Sequence, residues 1–412
     1  MTAISQRPQL RFVSYDAEWK VTKIADEIES IDSGWSPQCG NQPATDSEWG
    51  ILKTTSVVWE GYNEVANKRL SDGLSPRKQI EVQAHDILVT RAGPTDRVGV
   101  VVYVNETRPK LMLSDKIIRL RCYERNNSNF VAKYLGSRRA QSYLWGRKSG
   151  IATSQTNISQ SDLKSVPITL PSLPEQKKIA DFLTSVDDRI GQLIKKKALL
   201  EDYKKGLMQQ LFSQQIRFKD DNGNDFPDWE EKAIGDIASY KNGLAHESNI
   251  HESGSYFLIS LNSISIEGNL KNDHKRVKVS DGSLQKDDII MILSDVAHGY
   301  FLGLTAIVPE DDKYVLNQRV GRLRITTSVS VEFLRAYLNA NQRYFKLHGQ
   351  GSSQQNLSKG DILKFPISLP SLPEQKKIAD FLSAIDQKVE SVSQQITKTQ
   401  TFKKGLLQQM FV

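Results

Sequence analysis

The stretch LPSLPEQKKIADFL at Leu170–Leu183 recurs residue for residue at Leu369–Leu382. The match runs without a gap from Ser154–Phe212 to Ser353–Phe411 at a constant offset of 199, with 29 of 59 positions identical. A repeat of this strength fixes the plan of the chain before any local reading. Weaker echoes flank it. Leu10-Arg11-Phe12 with Trp19 resembles Ile216-Arg217-Phe218 with Trp229, and Asp86-Ile87-Leu88-Val89 resembles Asp288-Ile289-Ile290-Met291. Lys116–Arg121 resembles Arg319–Arg324. The plan is a globular domain over 1–169, a helix over 170–212, a second domain over 213–368 and a second helix over 369–412.

The repeated segment reads as a long helix. Ser172 with Glu175, and Ser371 with Glu374, have capping-box spacing, and Pro174 and Pro373 fall in the first turn, where a missing N–H is harmless. Ile378, Leu382, Ile385, Val389, Val392 and Ile396 follow in steps of four and three, the spacing of a coiled-coil seam. The first copy runs Ile179, Leu183, Val186, Ile190 and Leu193 before Lys197 interrupts it. Each helix is about 40 residues, or ~60 Å, with Gly206 and Gly405 expected to loosen its last turns. So much apolar edge predicts that the two helices pack on each other, antiparallel, with the domains at opposite ends about a pseudo-twofold axis. Leu199 and Leu407 lie off the seam and are expected to be covered by another protein.

Within each domain the texture is mixed. Ile80–Thr90 and Val98–Val104 read as strands around the Ala92-Gly93-Pro94 turn, as do Leu284–Leu293 and Phe301–Val308 around Ala297-His298-Gly299. Helices are expected near Phe130–Leu144 and Val331–Tyr344. The fold class is therefore α/β: two α/β domains with partly antiparallel sheets, separated by two long helices forming an antiparallel coiled coil.

Composition narrows the function. With 38% hydrophobic and 25% charged residues, the chain is not broadly disordered. Its longest apolar runs are too short to span a bilayer, and MTAISQRPQLRF lacks the apolar core of a signal peptide, so a cytoplasmic location is expected. Cys39 and Cys122 can supply neither a zinc cluster nor a disulfide framework. The net charge of +7 distributes as +5, +2, −2 and +2 over 1–173, 174–212, 213–372 and 373–412, so any DNA surface is a local patch. No GxxxxGK[ST] loop and no GxGxxG helix start is present. His246-Glu247 and His251 are five apart rather than four, which a zinc-binding helix would not place on one face. Pro227-Asp228 and Glu230-Glu231-Lys232 crowd nuclease-like carboxylates into six residues. The chain reads as non-catalytic and metal-free.

The Pro171–Leu183 and Pro370–Leu382 blocks, each preceded by a strand and opening a long helix, resemble the conserved regions of type I restriction-modification specificity (S) subunits. Asp86–Gly93 and Leu316-Asn317-Gln318 are similar to motifs of their target recognition domains, although Ile292-Leu293-Ser294-Asp295 replaces the Arg/Gly turn in the second copy. The resemblance spans essentially the whole chain. It implies a subunit that binds a bipartite, asymmetric site in double-stranded DNA, one half-site per domain, across a spacer of undetermined sequence. It also implies two adenine-N6 methyltransferase (M) subunits using S-adenosylmethionine, and ATP-driven restriction (R) subunits, with Mg, ATP and S-adenosylmethionine held by those partners and no cofactor in this chain.

Base and phosphate contacts call for Arg, Lys, Asn and Gln. In the first domain the candidates are Arg91 and Arg97 around the Gly93-Pro94 turn, with Arg138, Arg139, Arg147 and Lys148. In the second they are Lys271, Lys275, Arg276 and Lys278 beside His274, then Arg343 and Lys346 beside His348. The loops carrying Gln155 and Asn157, and Gln354 and Asn356, are nearly identical, so they predict a shared structural or phosphate-binding task rather than discrimination. The competing function is a coiled-coil scaffold or adaptor that never meets DNA.

Overall fold

The computed structural model describes residues 7–152, 155–266, 268–296, 300–351 and 354–411. Two compact units result: residues 1–194 with 394–412, and residues 195–393. The long helices span Leu173–Phe212 and Leu372–Met410 and run uninterrupted through Gly206 and Gly405. Each unit therefore owns the beginning of one helix and the end of the other. In the first, Ile179, Leu183 and Val186 share a core with Leu406, Met410 and Phe411 of the second helix. In the second, Ile378 and Leu382 share one with Leu211 and Phe212 of the first helix. The start of one helix lies beside the end of the other in both units, so the pair is antiparallel.

The seam residues are withdrawn from water. Leu193, Ile385 and Val392 are buried, while Ile190, Val389 and Ile396 are half-buried. Leu407 departs from expectation: it packs against the first unit's own core, whereas Leu199 is 59% exposed.

Both domains use one sheet order. In the first, strands Ile28–Ser33, Ile117–Cys122, Ile87–Thr90 and Val101–Tyr103 lie side by side, all antiparallel. In the second, Ala238–Asn242, Val320–Ile325, Ile289–Ile292 and Thr305–Ile307 repeat that order. The unbroken apolar runs now have a cause. Side chains alternate across a strand, so Ile87 and Val89 enter one core while Leu88 enters another on the opposite face. Ile289 with Met291, and Ile290 with Ile292, divide in the same way. The strands are shorter than expected: Lys78–Ile80 forms a 3-10 turn, and only Ile87–Thr90 of Ile80–Thr90 is strand.

The expected single helices are each two. Ser128–Leu135 ends at Gly136, and Ser137 restarts the chain as Arg138–Trp145 by accepting the Ala140 N–H at 3.5 Å. Val331–Ala340 and Gln342–His348 are likewise separated at Asn341.

Burial pushes the Cys122 thiol up to about 11, which suppresses its nucleophilic thiolate form. At pH 8, Cys39 should react with Ellman's reagent well ahead of Cys122. Equal rates for the two thiols, measured by mass spectrometry of labelled peptides, would contradict that order. Among the described residues, no helix is long and apolar enough to cross a membrane.

Candidate nucleic-acid interface

In the first domain, two chain regions distant in sequence meet in one small three-stranded sheet. Strand Gln155–Asn157 lies between Ala92–Gly93 and Ser149–Ala152, antiparallel to both. Its alternation turns Thr156 inward, where its hydroxyl lies 2.6 Å from that of Thr95, and leaves Gln155 and Asn157 exposed. The Pro94–Arg97 turn closes with a 2.9 Å bond from the Arg97 N–H to the Pro94 carbonyl, and Thr90 donates its hydroxyl proton to the Arg97 carbonyl. Gly93 adopts a φ of 150°, a conformation that suits glycine.

Basic side chains cluster on this sheet. Arg97 is exposed, and half-buried Arg91 is fixed through its backbone to Lys116 and Ile158. Lys148 donates to the Thr95 carbonyl at 2.7 Å with its Nζ 4.3 Å from the Trp145 ring centroid. Burial draws its pKa below that of an ordinary lysine. Arg147 stacks 3.5 Å over Tyr143, and Trp145 is 61% exposed. The site thus combines cations, exposed amides and an open aromatic ring.

Arg138 and Arg139 stand apart, at the start of the helix whose far end carries Trp145, ~10 Å along its axis. Both are exposed. Two cations at a helix N-terminus oppose its dipole at a cost of several tenths of a kcal/mol each, so stability does not explain them.

The second domain repeats the frame and changes the lining. Strand Gln354–Asn356 pairs with Ser294–Val296, and Asn356 exchanges backbone bonds with Gln350. Gln354 donates to the Ser294 hydroxyl at 2.5 Å, and buried Asp295 accepts the Phe301 N–H at 2.7 Å. Arg343 is exposed on the adjoining helix, Lys346 lies 5.8 Å from Tyr300, and His348 stacks on Tyr344. Ser154, Ser353 and Ala297-His298-Gly299 lie outside the described residues.

Lys271, Lys275, Arg276 and Lys278 belong elsewhere. They flank or form the edge strand Lys275–Val277, in which Lys275 and Arg276 are exposed and Val277 is buried, and which pairs with Tyr256–Ile259 in a different sheet. Arg276 sits 5.2 Å from the Phe257 ring, and half-buried His274 lies against Phe257 and Tyr314, its pKa lowered by burial. The equivalent strand of the first domain, Asn67–Arg69, has its cations tied down: Lys68 to the Pro37 carbonyl, Arg69 to Glu48 and Asp72. The second domain therefore carries candidates on two sheets, the first domain mainly on one.

Residues 18–201 and 227–399 each match the model of the type I restriction modification DNA specificity domain. The chain belongs to that family. It is 43% identical over 172 residues to the EcoEI specificity subunit of Escherichia coli, covering 41% of this chain but only 28% of that relative. It is 25% identical to the putative MjaX specificity subunit of Methanocaldococcus jannaschii, covering 95% and 92% of the two chains. The fold is similar to the S subunit of M. genitalium, with a TM-score of 0.60 at 17% identity over 98% of this chain and 99% of that one. A chain from a structure of type I R-M complex assembly gives 0.59 at 15% identity over 94% and 96%.

Family motifs divide between frame and surface. Asp86, at the start of the Asp86–Gly93 motif, is buried and bonded to Arg121 at 2.6 Å, while Arg119 pairs with Asp32 at 2.5 Å. Asp288 receives two 2.7 Å bonds from Arg324. These arginines escaped the sequence reading. Their signal was alternation with apolar residues along a strand, which turns the charges toward an interior partner.

The repeated Glu-Gln also serves the frame. Glu175 accepts two bonds from Arg11, at 2.7 and 2.8 Å, and Glu374 accepts two from Arg217, at 3.1 and 2.8 Å. Gln176 and Gln375 accept the Asn127 and Ser330 backbone N–H groups at 2.9 Å, where the domain helices Ser128–Leu135 and Val331–Ala340 begin. In both copies the glutamate serves a distant arginine, and in the second the capping-box expectation is corrected, because the Ser371 hydroxyl is buried without a partner.

Proposed function

We propose that this chain is the non-catalytic DNA-specificity subunit of a type I restriction-modification complex, binding a bipartite, asymmetric double-stranded target with one half-site per domain. One observation carries the reading. The two domains present an equivalent Gln-x-Asn strand beside segments that differ, Ala92-Gly93-Pro94 against Ser294-Asp295. A shared strand suits sequence-blind contacts, and differing neighbours suit two different half-sites. Mobility shifts of random-sequence duplexes test it, using the chain alone and with its M subunit at two salt concentrations. Binding that falls steeply with salt is expected. No binding in either form would leave the protein-scaffold reading.

Removing charge at Arg138/Arg139, or at Lys275/Arg276, should weaken binding to all sequences. Each lost phosphate contact should reduce the salt slope by about one. An unchanged slope for both double variants would take these clusters out of the interface.

The subunit is further proposed to assemble two M subunits, which use S-adenosylmethionine, and the ATP- and Mg-dependent R subunits. Leu199 and Tyr203 stand exposed on one stretch of the first long helix, and such apolar area on a helix fits partner helices completing a bundle. Leu199→Glu with Tyr203→Glu should abolish co-purification with M at micromolar concentrations. Intact assembly would place M elsewhere.

A further inference from the structure

A turn lies close to each Gln-x-Asn strand, and the two domains hold it with the same four backbone bonds. In the first domain the Ile117 N–H donates to the Ser114 carbonyl at 3.1 Å, closing a turn that carries Asp115 and Lys116. In the second, the Val320 N–H donates to the Asn317 carbonyl at 3.0 Å around Gln318 and Arg319. On one side Trp35 donates to the Leu113 carbonyl and Leu244 to the Leu316 carbonyl, at 3.0 and 3.1 Å. On the other, the Arg91 N–H meets the Lys116 carbonyl at 2.8 Å, and the Leu293 N–H meets the Arg319 carbonyl at 3.0 Å. The Arg91 and Leu293 carbonyls then accept from Ile158 and Leu357, the residues that follow Asn157 and Asn356. Each turn is thus one bonded residue away from the strand that the domains share.

Matching frames carry unlike tips. Lys116 and Arg319 occupy the same place and are both exposed cations, which suits a sequence-blind phosphate contact. The residues before them, Asp115 and Gln318, are exposed as well, but one is an acid and the other an amide. Asp115 cannot serve a phosphate, because like charges repel. A carboxylate beside duplex DNA has one favourable use, accepting from the exocyclic amino group of a base, as Asp and Glu do from cytosine N4. Gln318 suits the two-bond pattern of adenine N6 and N7.

Each tip side chain is also oriented in advance. Ser36 donates its hydroxyl proton to Asp115 Oδ1 and accepts the Asp115 N–H at 3.3 Å, which leaves Oδ2 to accept elsewhere. Glu247 accepts from Gln318 Nε2 at 3.4 Å and from Asn317 Nδ2 at 3.1 Å, and Asn317 Oδ1 accepts the Gln318 N–H at 2.7 Å. One amide proton of Gln318 is thereby engaged, and the other remains beside its carbonyl as the donor–acceptor pair that adenine requires. Side chains restricted before binding lose less freedom on binding. The matched bonds of Trp35 and Leu244 put Ala245 in the place of Ser36, so the orienting groups have diverged together with the tips.

We infer that Asp115 reads one base pair of the first domain's half-site and Gln318 one base pair of the second's, with Ser36 and Glu247 as their positioning residues. Lys116 and Arg319 take the neighbouring phosphates. The inference rests on the functional reading above and assigns within it the side chains that discriminate, at a place where the two domains share a backbone and differ in hydrogen-bonding character.

The test lets the chain, assembled with its M subunits, methylate a random-sequence duplex library, and the methylated molecules are sequenced. D115A should flatten the preference at one base pair of one half-site by about tenfold and leave the other half-site untouched. Q318A should do the same at the other half-site. S36A, which keeps Asp115 but frees it, should weaken the preference at the D115A base pair by a smaller factor. K116A should lower the salt slope of binding by about one without moving either half-site. Thermal melts matching the unaltered chain verify folding, and D115N, equal in shape, replaces D115A if that variant melts early. Unchanged half-sites in D115A and Q318A, with methylation intact, would overturn the assignment alone. Both variants acting on one half-site would equally reject it. So would tighter binding of D115A to every sequence at unchanged half-sites, since Asp115 would then only repel phosphates. Methylation by the unaltered complex without any preferred sequence would overturn both the assignment and the functional reading.

Discussion

Arg11→Ala should destabilise the first domain by about 3–5 kcal/mol. The Glu175 carboxylate is buried, and Arg11 meets it with two parallel bonds of 2.7 and 2.8 Å across 164 residues of sequence. Removing the arginine leaves a buried charge uncompensated, which costs more than the pair itself contributes. Arg217→Ala is the internal control. Glu374 keeps the Trp229 indole N–H at 3.1 Å, whereas the Trp19 indole nitrogen is buried without a partner. A surviving bond to a charged acceptor stabilises by about 1.5–3 kcal/mol, so Arg217→Ala should cost less than Arg11→Ala by roughly that amount. Urea titrations followed by circular dichroism give both values. Equal losses would mean that Trp229 contributes nothing to Glu374. Replacing Arg11 and Glu175 together by methionine and leucine should recover most of the loss, because no buried charge is then stranded.

This pair marks where sequence reading succeeded and where it stopped. The duplicated Leu10-Arg11-Phe12 and Ile216-Arg217-Phe218 echoes were visible as repeats, as was the Glu-Gln within the helix blocks. Nothing local announced that they bind each other. Spacing from Ser172 to Glu175 satisfied a capping rule, and a short-range rule cannot see a partner 164 residues away. Helix lengths were legible because a 4-3 apolar period persists over many turns. The division of each helix between two units followed from the antiparallel expectation, but the ion pairs of Asp187 with Lys403 and of Asp386 with Lys204 did not. Each depends on a lysine contributed by the other long helix. Leu407 failed for a related reason: a position off the seam can still face its own domain. The candidate interface was partly legible. Arg91, Arg97, Lys148, Gln155 and Asn157 were each picked as residue types, and pairing of Gln155–Asn157 with Ala92–Gly93 made them one surface. In the second domain, Lys275 and Gln354 both belong to residue types that contact DNA, yet strand pairing puts them on different sheets.

The strongest effect on DNA binding should come from R97A/R147A/K148A in the first domain. Arg97 closes the turn that follows the strand paired with Gln155–Asn157, Lys148 bonds to that turn, and Arg147 adjoins Lys148 in sequence. The frame beneath them is held by backbone pairing and by the contact between Thr95 and Thr156, so their removal should leave the fold intact. Lys148 is the most constrained, anchored on the Thr95 carbonyl and the Trp145 ring, which fixes its position before DNA arrives. Side chains ordered in advance lose little freedom on binding. If all three meet phosphates, the slope of log affinity against log salt should fall by nearly three, at ~0.9 per contact. Affinity at moderate salt should drop about 100-fold or more, counting ~1 kcal/mol for each contact. On the proposed reading the second domain keeps its own half-site, so binding should weaken without changing that half of the recognised sequence. Fluorescence anisotropy across a salt series, paired with methylation mapping of the variant complex, separates the possible outcomes. An unaltered slope with an altered first half-site would make these residues base readers. An unaltered slope with unaltered affinity would remove the sheet from the DNA altogether.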